Sequence, residues 1–125
     1  MALSKLTTLL VVERIEPCLP AWEALGYAAV VRVPETGPLG FVILAGPAGE
    51  LMLQTRENLA ADLPVVAERR PSHVLYGDVP SLADAKRALP AAKILVAQRK
   101  TPYGATETWL QLEGGVILGL SEHAG

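Results

Sequence analysis

The sequence predicts an α+β domain made of two β-α-β-β-β units, and three observations lead to this prediction. Residues 17–55 are followed by a degraded copy at residues 81–119, and an ungapped superposition places Pro38 on Pro102. Each copy contains one helical pattern followed by strand patterns. Glycine- and proline-rich turns separate the strands in both copies.

The length of 125 residues predicts a single domain. Within it, residues 1–56 form the first module, residues 57–71 the connection and residues 72–125 the second module. Half of the residues are hydrophobic but only 5% are aromatic, so the predicted core is aliphatic.

Charge and cysteine content exclude several classes of protein. The net charge is −2 and no long basic run is present, which argues against a nucleic-acid surface. The single cysteine, Cys18, has no internal disulfide partner, and this favours a reducing cytoplasm. The apolar run at residues 9–12 is too short to span a bilayer, so we expect no membrane segment.

The first module begins with a buried strand at residues 6–12. A helix follows at residues 19–25, where Leu19, Trp22 and Leu25 form the face expected to pack on the sheet. Three β-rich runs come next, at residues 27–33, 39–45 and 50–55. The connection shows no strand pattern, and a short helix is predicted at residues 57–62.

The second module repeats this order. A strand is predicted at residues 72–79 and a helix at residues 81–89, with Ser81 as its N-cap and Pro90 closing it. Three further strands are predicted at residues 93–99, 105–112 and 116–121.

Alternation along these strands predicts which side chains face the helices and which face an interior. The predicted helix-side set is uniformly aliphatic and consists of Leu51, Leu53, Val116, Leu118 and Leu120. The predicted interior set mixes apolar, aromatic and polar side chains, as a small-molecule site requires: Thr7, Phe41, Met52, Gln54, Tyr76, Glu107, Trp109 and Ile117.

Four phrases carry a resemblance to a known family: LGFVIL at residues 39–44, ELMLQT at 50–55, PYGATE at 102–107 and GLSEH at 119–123. With the two repeated units, the chain resembles the vicinal oxygen chelate superfamily, which includes glyoxalase I, extradiol dioxygenases and the bleomycin-resistance proteins. The resemblance implies that each module is a half-barrel and that the two enclose a shared cavity. It also implies a homodimer, with modules exchanged between chains as one arrangement.

In this superfamily, metal-dependent members hold a divalent cation with four side chains. The resemblance places those positions on Thr7, Gln54, Val74 and Gly119, of which only Gln54 could coordinate a metal. We therefore expect no metal or other cofactor, and the sequence argues against an enzyme without excluding one. The expected function is metal-free binding of a small molecule whose identity the sequence does not reveal.

Two alternatives stay open. A divalent-metal-dependent lyase, isomerase or dioxygenase would use Zn, Ni, Mn or Fe held by another set of ligands: His73, Gln54, Glu107 and Glu122. His73 is offset by one residue from the expected position, so it points to the other side of the strand unless a β-bulge at residues 71–72 restores it. The second alternative is a dimeric interaction module without a ligand.

In the binding interpretation, the aromatic side chains Phe41, Tyr76 and Trp109 would stack on a planar ligand. Gln54 would orient it by hydrogen bonds. Glu107 belongs to the predicted interior set, and exposure at a strand edge is the alternative, because burial of a carboxylate without a partner is costly. If it is buried, it becomes the candidate general base or cation contact.

Overall fold

The computed structural model describes residues 2–123 and confirms the predicted α+β class. A short 3₁₀ helix, Glu16–Cys18, precedes the first α-helix. The strands and helices in chain order are β1 (Lys5–Val12), α1 (Leu19–Ala24), β2 (Ala28–Val33), β3 (Phe41–Gly46), β4 (Gly49–Thr55), α2 (Arg56–Asp62), α3 (Pro64–Ala67), β5 (His73–Asp78), α4 (Leu82–Ala88), β6 (Lys93–Lys100), β7 (Ala105–Gln111) and β8 (Ile117–His123).

The chain forms two compact units, and both have the same strand order. The first unit comprises Thr8–His73, and its strands follow the order β2-β3-β4-β1, with β1 parallel to β4. The second unit comprises residues 2–7 and 74–123, and its strands follow the order β6-β7-β8-β5, with β5 parallel to β8. The neighbouring pairs among the later strands of each unit are antiparallel. The internal repeat predicted from the sequence is therefore confirmed in the topology.

The core of the first unit is aliphatic, as the composition predicts. Leu19 and Trp22 of α1 pack against it, so this part of the predicted helix face is confirmed. Its buried members are Ile15, Leu39, Val42, Leu44, Leu51 and Leu53.

The prediction that Leu25 is the third residue of that helix face is wrong, because α1 ends before it. The N–H of Gly26 donates to the Glu23 carbonyl at 3.1 Å, and the N–H of Tyr27 donates to the Trp22 carbonyl at 3.0 Å. Gly26 has φ +97°, so these bonds form a Schellman cap, and the Tyr27 ring meets the Trp22 ring edge to face at 5.6 Å. Leu25 therefore lies outside the helix and is 69% exposed instead of packing on the sheet.

The connection contains two helices where the sequence predicts one. The predicted helix is confirmed as α2, which begins at its N-cap Thr55, whose Oγ1 accepts a hydrogen bond from the Asn58 N–H at 3.0 Å. The second helix, α3, is a single turn that begins at Pro64, a residue suited to a first helical turn. Leu59 of α2 and Val66 of α3 are buried, so each helix packs on the protein through one apolar side chain.

The second unit repeats the aliphatic packing around α4. Its buried cluster consists of Val79, Leu82, Ala85, Leu110, Leu118 and Leu120. The predicted cap is confirmed, because Ser81 Oγ accepts a hydrogen bond from the Asp84 N–H at 3.1 Å. Val116 is an exception to the predicted helix side: it precedes β8, after a glycine turn, and is 38% exposed. No helix in residues 2–123 has the length and apolar character needed to cross a membrane.

Candidate functional site

The strand register of the second unit brings aromatic and polar side chains together on one face of its sheet. Gly119 of β8 pairs with Tyr76 of β5 and with Trp109 of β7. Two residues further along β8, Ser121 pairs with Asp78 and Glu107. Residues that pair directly, or that lie two apart on one strand, share a face. This face therefore differs from the aliphatic face that packs on α4.

Glu107 lies at the centre of this face and is fully enclosed. Its side chain is 2% exposed, and three donors bind the carboxylate. Arg99 Nε donates to Oε1 at 2.8 Å, Trp109 Nε1 donates to the same oxygen at 3.0 Å, and the Tyr76 hydroxyl donates to Oε2. We name these four side chains, Tyr76, Arg99, Glu107 and Trp109, the Glu107 cluster.

The burial of Glu107 rules out exposure at a strand edge, which was the alternative to its predicted interior position. The reason is Arg99, which lies directly opposite Glu107 in the antiparallel pair of β6 and β7. Arg99 was missing from the candidate residues, although a signal for it exists. Arg99 and Glu107 are equidistant from Tyr103 in the turn, so a hairpin centred on that turn places them opposite each other.

Trp109 fills the space beside Gly119. A Cβ atom added to Gly119 would lie 2.6 Å from Cη2 of the indole ring, closer than real side chains approach. The indole is 2% exposed and its ring centroid lies 5.9 Å from that of Tyr76, with the planes tilted by 43°. The ring therefore occupies the place in which any side chain at position 119 would have to lie.

The phenol of Tyr76 is held in its protonated form. Burial raises the pKa of Tyr76 well above its usual value of about 10, because the phenolate would lose solvent, and the hydrogen bond to Glu107 raises it further. A hydrogen bond with Ser121 opposes this rise in the pKa, and the negative charge of Glu107 adds to it. Tyr76 is thus a hydrogen-bond donor and not a base at physiological pH.

In the first unit, three predicted interior residues, Phe41, Met52 and Gln54, share one face with Ile43. Phe41 pairs with Gln54 and Ile43 pairs with Met52 across β3 and β4. Met52 and Gln54 are buried, whereas Phe41 and Ile43 are half-buried. Gln54 Nε2 donates to Asn58 Oδ1 at 2.7 Å, so its amide is oriented by the first turn of α2. Asn58 is a second residue that sequence reasoning missed.

The remaining predicted site residues are buried apolar or hydroxyl side chains. Thr7 is 6% exposed and Ile117 is 5% exposed.

Cys18 is a half-buried free thiol whose Sγ lies 3.3 Å from the carbonyl oxygen of Arg14.

The residues of the alternative metal set already have other roles. His73 is exposed at the start of β5, with Nδ1 3.1 Å from Ser72 Oγ. Glu122 Oε1 accepts a hydrogen bond from the Leu82 N–H at 2.7 Å, at the start of α4. Because Glu107 pairs with Ser121, the next residue, Glu122, points to the opposite face of the sheet. Glu107 and Glu122 therefore do not form a ligand pair.

The positions that the resemblance assigns to a metal do not fit one. Gly119 offers no side chain, Val74 is apolar and 1% exposed, and Gln54 is engaged with Asn58. Within the part of the chain that the structure describes, no group of three or more His, Cys, Asp or Glu side chains lies close enough to hold an ion.

Comparison with solved structures identifies the fold. The chain matches a glyoxalase/bleomycin resistance protein/dioxygenase superfamily member from Vibrio splendidus 12B01 with a TM-score of 0.71 and 16% identity, covering 97% of this chain and 99% of that one. A hypothetical protein from Bacillus halodurans C-125 matches with a TM-score of 0.69 and 15% identity, over 95% of this chain and 93% of that one.

A protein from Staphylococcus aureus matches with a TM-score of 0.67 and 16% identity, over 99% of this chain and all of that one. Neither protein-family models nor curated proteins match the sequence. The chain therefore has the fold of the glyoxalase/bleomycin resistance/dioxygenase superfamily, as the resemblance predicts.

The packing of Trp109 against Gly119 leads to a first prediction. Gly119→Ala should destabilise the protein by about 1–3 kcal/mol, because the new methyl group overlaps the indole ring. Urea unfolding measures this change. In a Trp109→Phe background, Gly119→Ala should cost less stability than it does in the wild type, because the smaller ring leaves room for the methyl group. Strict additivity of the two changes would contradict the contact.

The raised pKa of Tyr76 leads to a second prediction. The folded protein holds this proton more tightly than the unfolded chain, so the resulting stability is fully present below the unfolded pKa of about 10 and is lost as the pH rises above it. In a near-ultraviolet absorbance titration, subtracting the Tyr76→Phe curve from the wild-type curve should leave a phenol step well above pH 10.

Tyr27→Phe, in the first unit, is the control and should retain that high-pH step. A difference step centred near pH 10 would show that the Tyr76 hydroxyl is not enclosed by the Glu107 cluster.

Proposed function

We propose that this chain, with its glyoxalase/bleomycin resistance fold, is a small-molecule binding protein that works without a bound metal ion. The ligand lies on the face of the second unit that carries the Glu107 cluster. The observation that supports this proposal is the buried carboxylate of Glu107, held by a guanidinium, an indole and a phenol on one sheet face.

Stability alone is a weak reason for such a cluster. A buried ion pair is often no more stabilising than apolar residues of the same volume, because both charges lose their hydration. The other face of the same sheet is filled with aliphatic side chains, which shows that this chain can pack without charges. A binding role explains why polar and aromatic groups converge here.

The exposure of the cluster suggests which groups meet the ligand. Glu107 and Trp109 are enclosed, so they act as support. Tyr76 is half-buried, and the side chain of Arg99 is 24% exposed. A planar ligand with a hydrogen-bond acceptor fits these two, since it stacks on the phenol ring and accepts from the guanidinium. The predicted contributions of Thr7, Phe41, Met52, Gln54 and Ile117 stay predictions.

A metal-dependent lyase, isomerase or dioxygenase is the main rival. It would need a ligand at or near position 119, which the Trp109 indole fills, and a carboxylate free to coordinate. The three donors on Glu107 would have to be displaced first. These contacts support the metal-free interpretation.

Metal content and ligand binding test this proposal together. Elemental mass spectrometry of the untagged protein, before and after EDTA, should find no stoichiometric transition metal and no change in thermal midpoint. In a Trp22→Phe background Trp109 is the single tryptophan, so its fluorescence reports a screen of planar aromatic compounds. A hit should bind about tenfold more weakly to Arg99→Met, by loss of one charge-assisted hydrogen bond.

Thr106→Ala, on the opposite face of β7, is the matched control and should bind normally. One metal per chain, retained on purification and lost with a lower midpoint in EDTA, would sink the metal-free proposal and favour the rival.

A homodimer is proposed as well, on the exposed edge of the first unit. β2 is at the end of the strand order and pairs with β3, and Val30, Val31 and Val33 are 60%, 40% and 46% exposed. An uncovered apolar edge strand is prone to pair with another chain. A second copy covering this edge would remove the valines from water.

Sedimentation velocity tests the dimer at micromolar protein. The wild type should sediment as a dimer, and Val30→Lys should shift it to the monomer, because a charge on the edge opposes strand pairing. Ile94→Lys, at a 52% exposed residue on edge strand β6 of the second unit, is the control and should remain dimeric. A monomeric wild type would refute the proposal.

A further inference from the structure

We propose that a groove in the first unit is a separate binding site for a small organic cation with an apolar body. The groove is open to solvent and has a volume of about 680 Å³, which is within the range of small-molecule sites. Its walls include Glu13, Glu16, Leu39, Gly40, Glu57 and Asn58, and we name it the acidic groove. It shares no lining residue with the predicted interior site or with the Glu107 cluster.

The wall at Gly40 is held by backbone hydrogen bonds. The Gly40 N–H donates to the Val33 carbonyl at 2.8 Å, and the Thr55 N–H donates to the Gly40 carbonyl at 2.9 Å. A Cβ atom at Gly40 would lie 2.7 Å from Asn58 Nδ2, so only glycine allows the α2 side chain to approach this closely. The wall is therefore in place before a ligand arrives.

Asn58 is held at two points on the other wall. Its Oδ1 accepts from Gln54 Nε2 at 2.7 Å, and its backbone N–H donates to Thr55 Oγ1 at 3.0 Å. The first bond orients the side-chain amide and the second holds the backbone of the first helical turn, so that little side-chain entropy is lost when a ligand binds against the amide.

The charges that line the groove favour a cation. The lining contains three carboxylates, those of Glu13, Glu16 and Glu57, and one guanidinium, that of Arg14. Arg56, outside the lining, donates to Glu13 at 2.9 Å and offsets part of this excess. The lining remains negative, which attracts a cation and repels an anion.

Glu16 supplies a permanent negative charge at this site. Its Oε2 accepts a hydrogen bond from the Leu39 N–H at 2.8 Å, and this bond lowers the pKa of Glu16 below its usual value. The carboxylate is therefore ionised throughout the physiological range, and the position of its oxygen is set by the backbone.

The remaining wall of the groove is apolar, and it favours a ligand that carries an apolar body as well as a positive charge. Pro34, Pro38, Leu39 and Ala61 contribute carbon surface to the groove. A simple inorganic cation would gain nothing from these residues, whereas an amine attached to an aromatic or aliphatic body buries apolar area against them.

Nuclear magnetic resonance titration with benzylamine tests the proposal, with benzyl alcohol and benzoate as neutral and anionic counterparts. Benzylamine should cause saturable shifts centred on the amides of Gly40 and Asn58, and the other two compounds should not. Raising the salt concentration should weaken the binding, because exposed charges are screened. Glu57→Gln should raise the dissociation constant about threefold, whereas Glu113→Gln, in a turn of the second unit, should not.

A steric variant separates occupation of the groove from general charge attraction. Ala61→Trp should fill the groove and abolish the shifts, and Ala60→Trp, exposed on the same helix but outside the lining, should leave them unchanged. Equal shifts with benzoate, equal effects of Glu57→Gln and Glu113→Gln, or binding that survives Ala61→Trp would each overturn the proposal. None of these outcomes depends on whether the Glu107 cluster binds a ligand.

Discussion

The buried carboxylate of Glu107 is the constraint on which the second unit depends. A charge removed from water must be compensated, and here an arginine, a tryptophan and a tyrosine from three different strands all donate to it. Because each donor reaches the same group, the register of β5, β6 and β7 is coupled to one side chain. Slippage of β5 or β6 by one residue would turn its donor to the other face and remove part of the compensation of the charge.

The two units share one topology but differ in where their polar side chains lie. Both place a parallel pair of strands beside an antiparallel series and cover one face with aliphatic side chains from a short helix. In the second unit the other face is specialised as an aromatic and ionic cluster. In the first unit the polar specialisation lies instead at the groove, where the turn before β3 meets α2. A repeated fold thus carries two chemically distinct surfaces.

The architecture was predictable because its signals are local. Strand alternation, the Ser81 cap and the glycine and proline turns all act within a few residues, and the structure reproduces them. The departures have non-local causes. Leu25 fits the helical periodicity, yet the left-handed Gly26 ends the helix first. Glu107 resembles an exposed residue until Arg99 is placed opposite it, which requires the hairpin register and not the composition of either strand.

The close contact between Gly119 and Trp109 also limits how this chain could change by mutation. A carboxylate cannot be introduced at position 119 while the indole occupies that space, and removing the indole first takes a donor from Glu107. Either single step passes through a less stable protein, so a path to a coordinating residue at this position needs two coupled substitutions. The contact therefore makes replacement of Gly119 by a residue with a side chain unfavourable unless Trp109 changes as well.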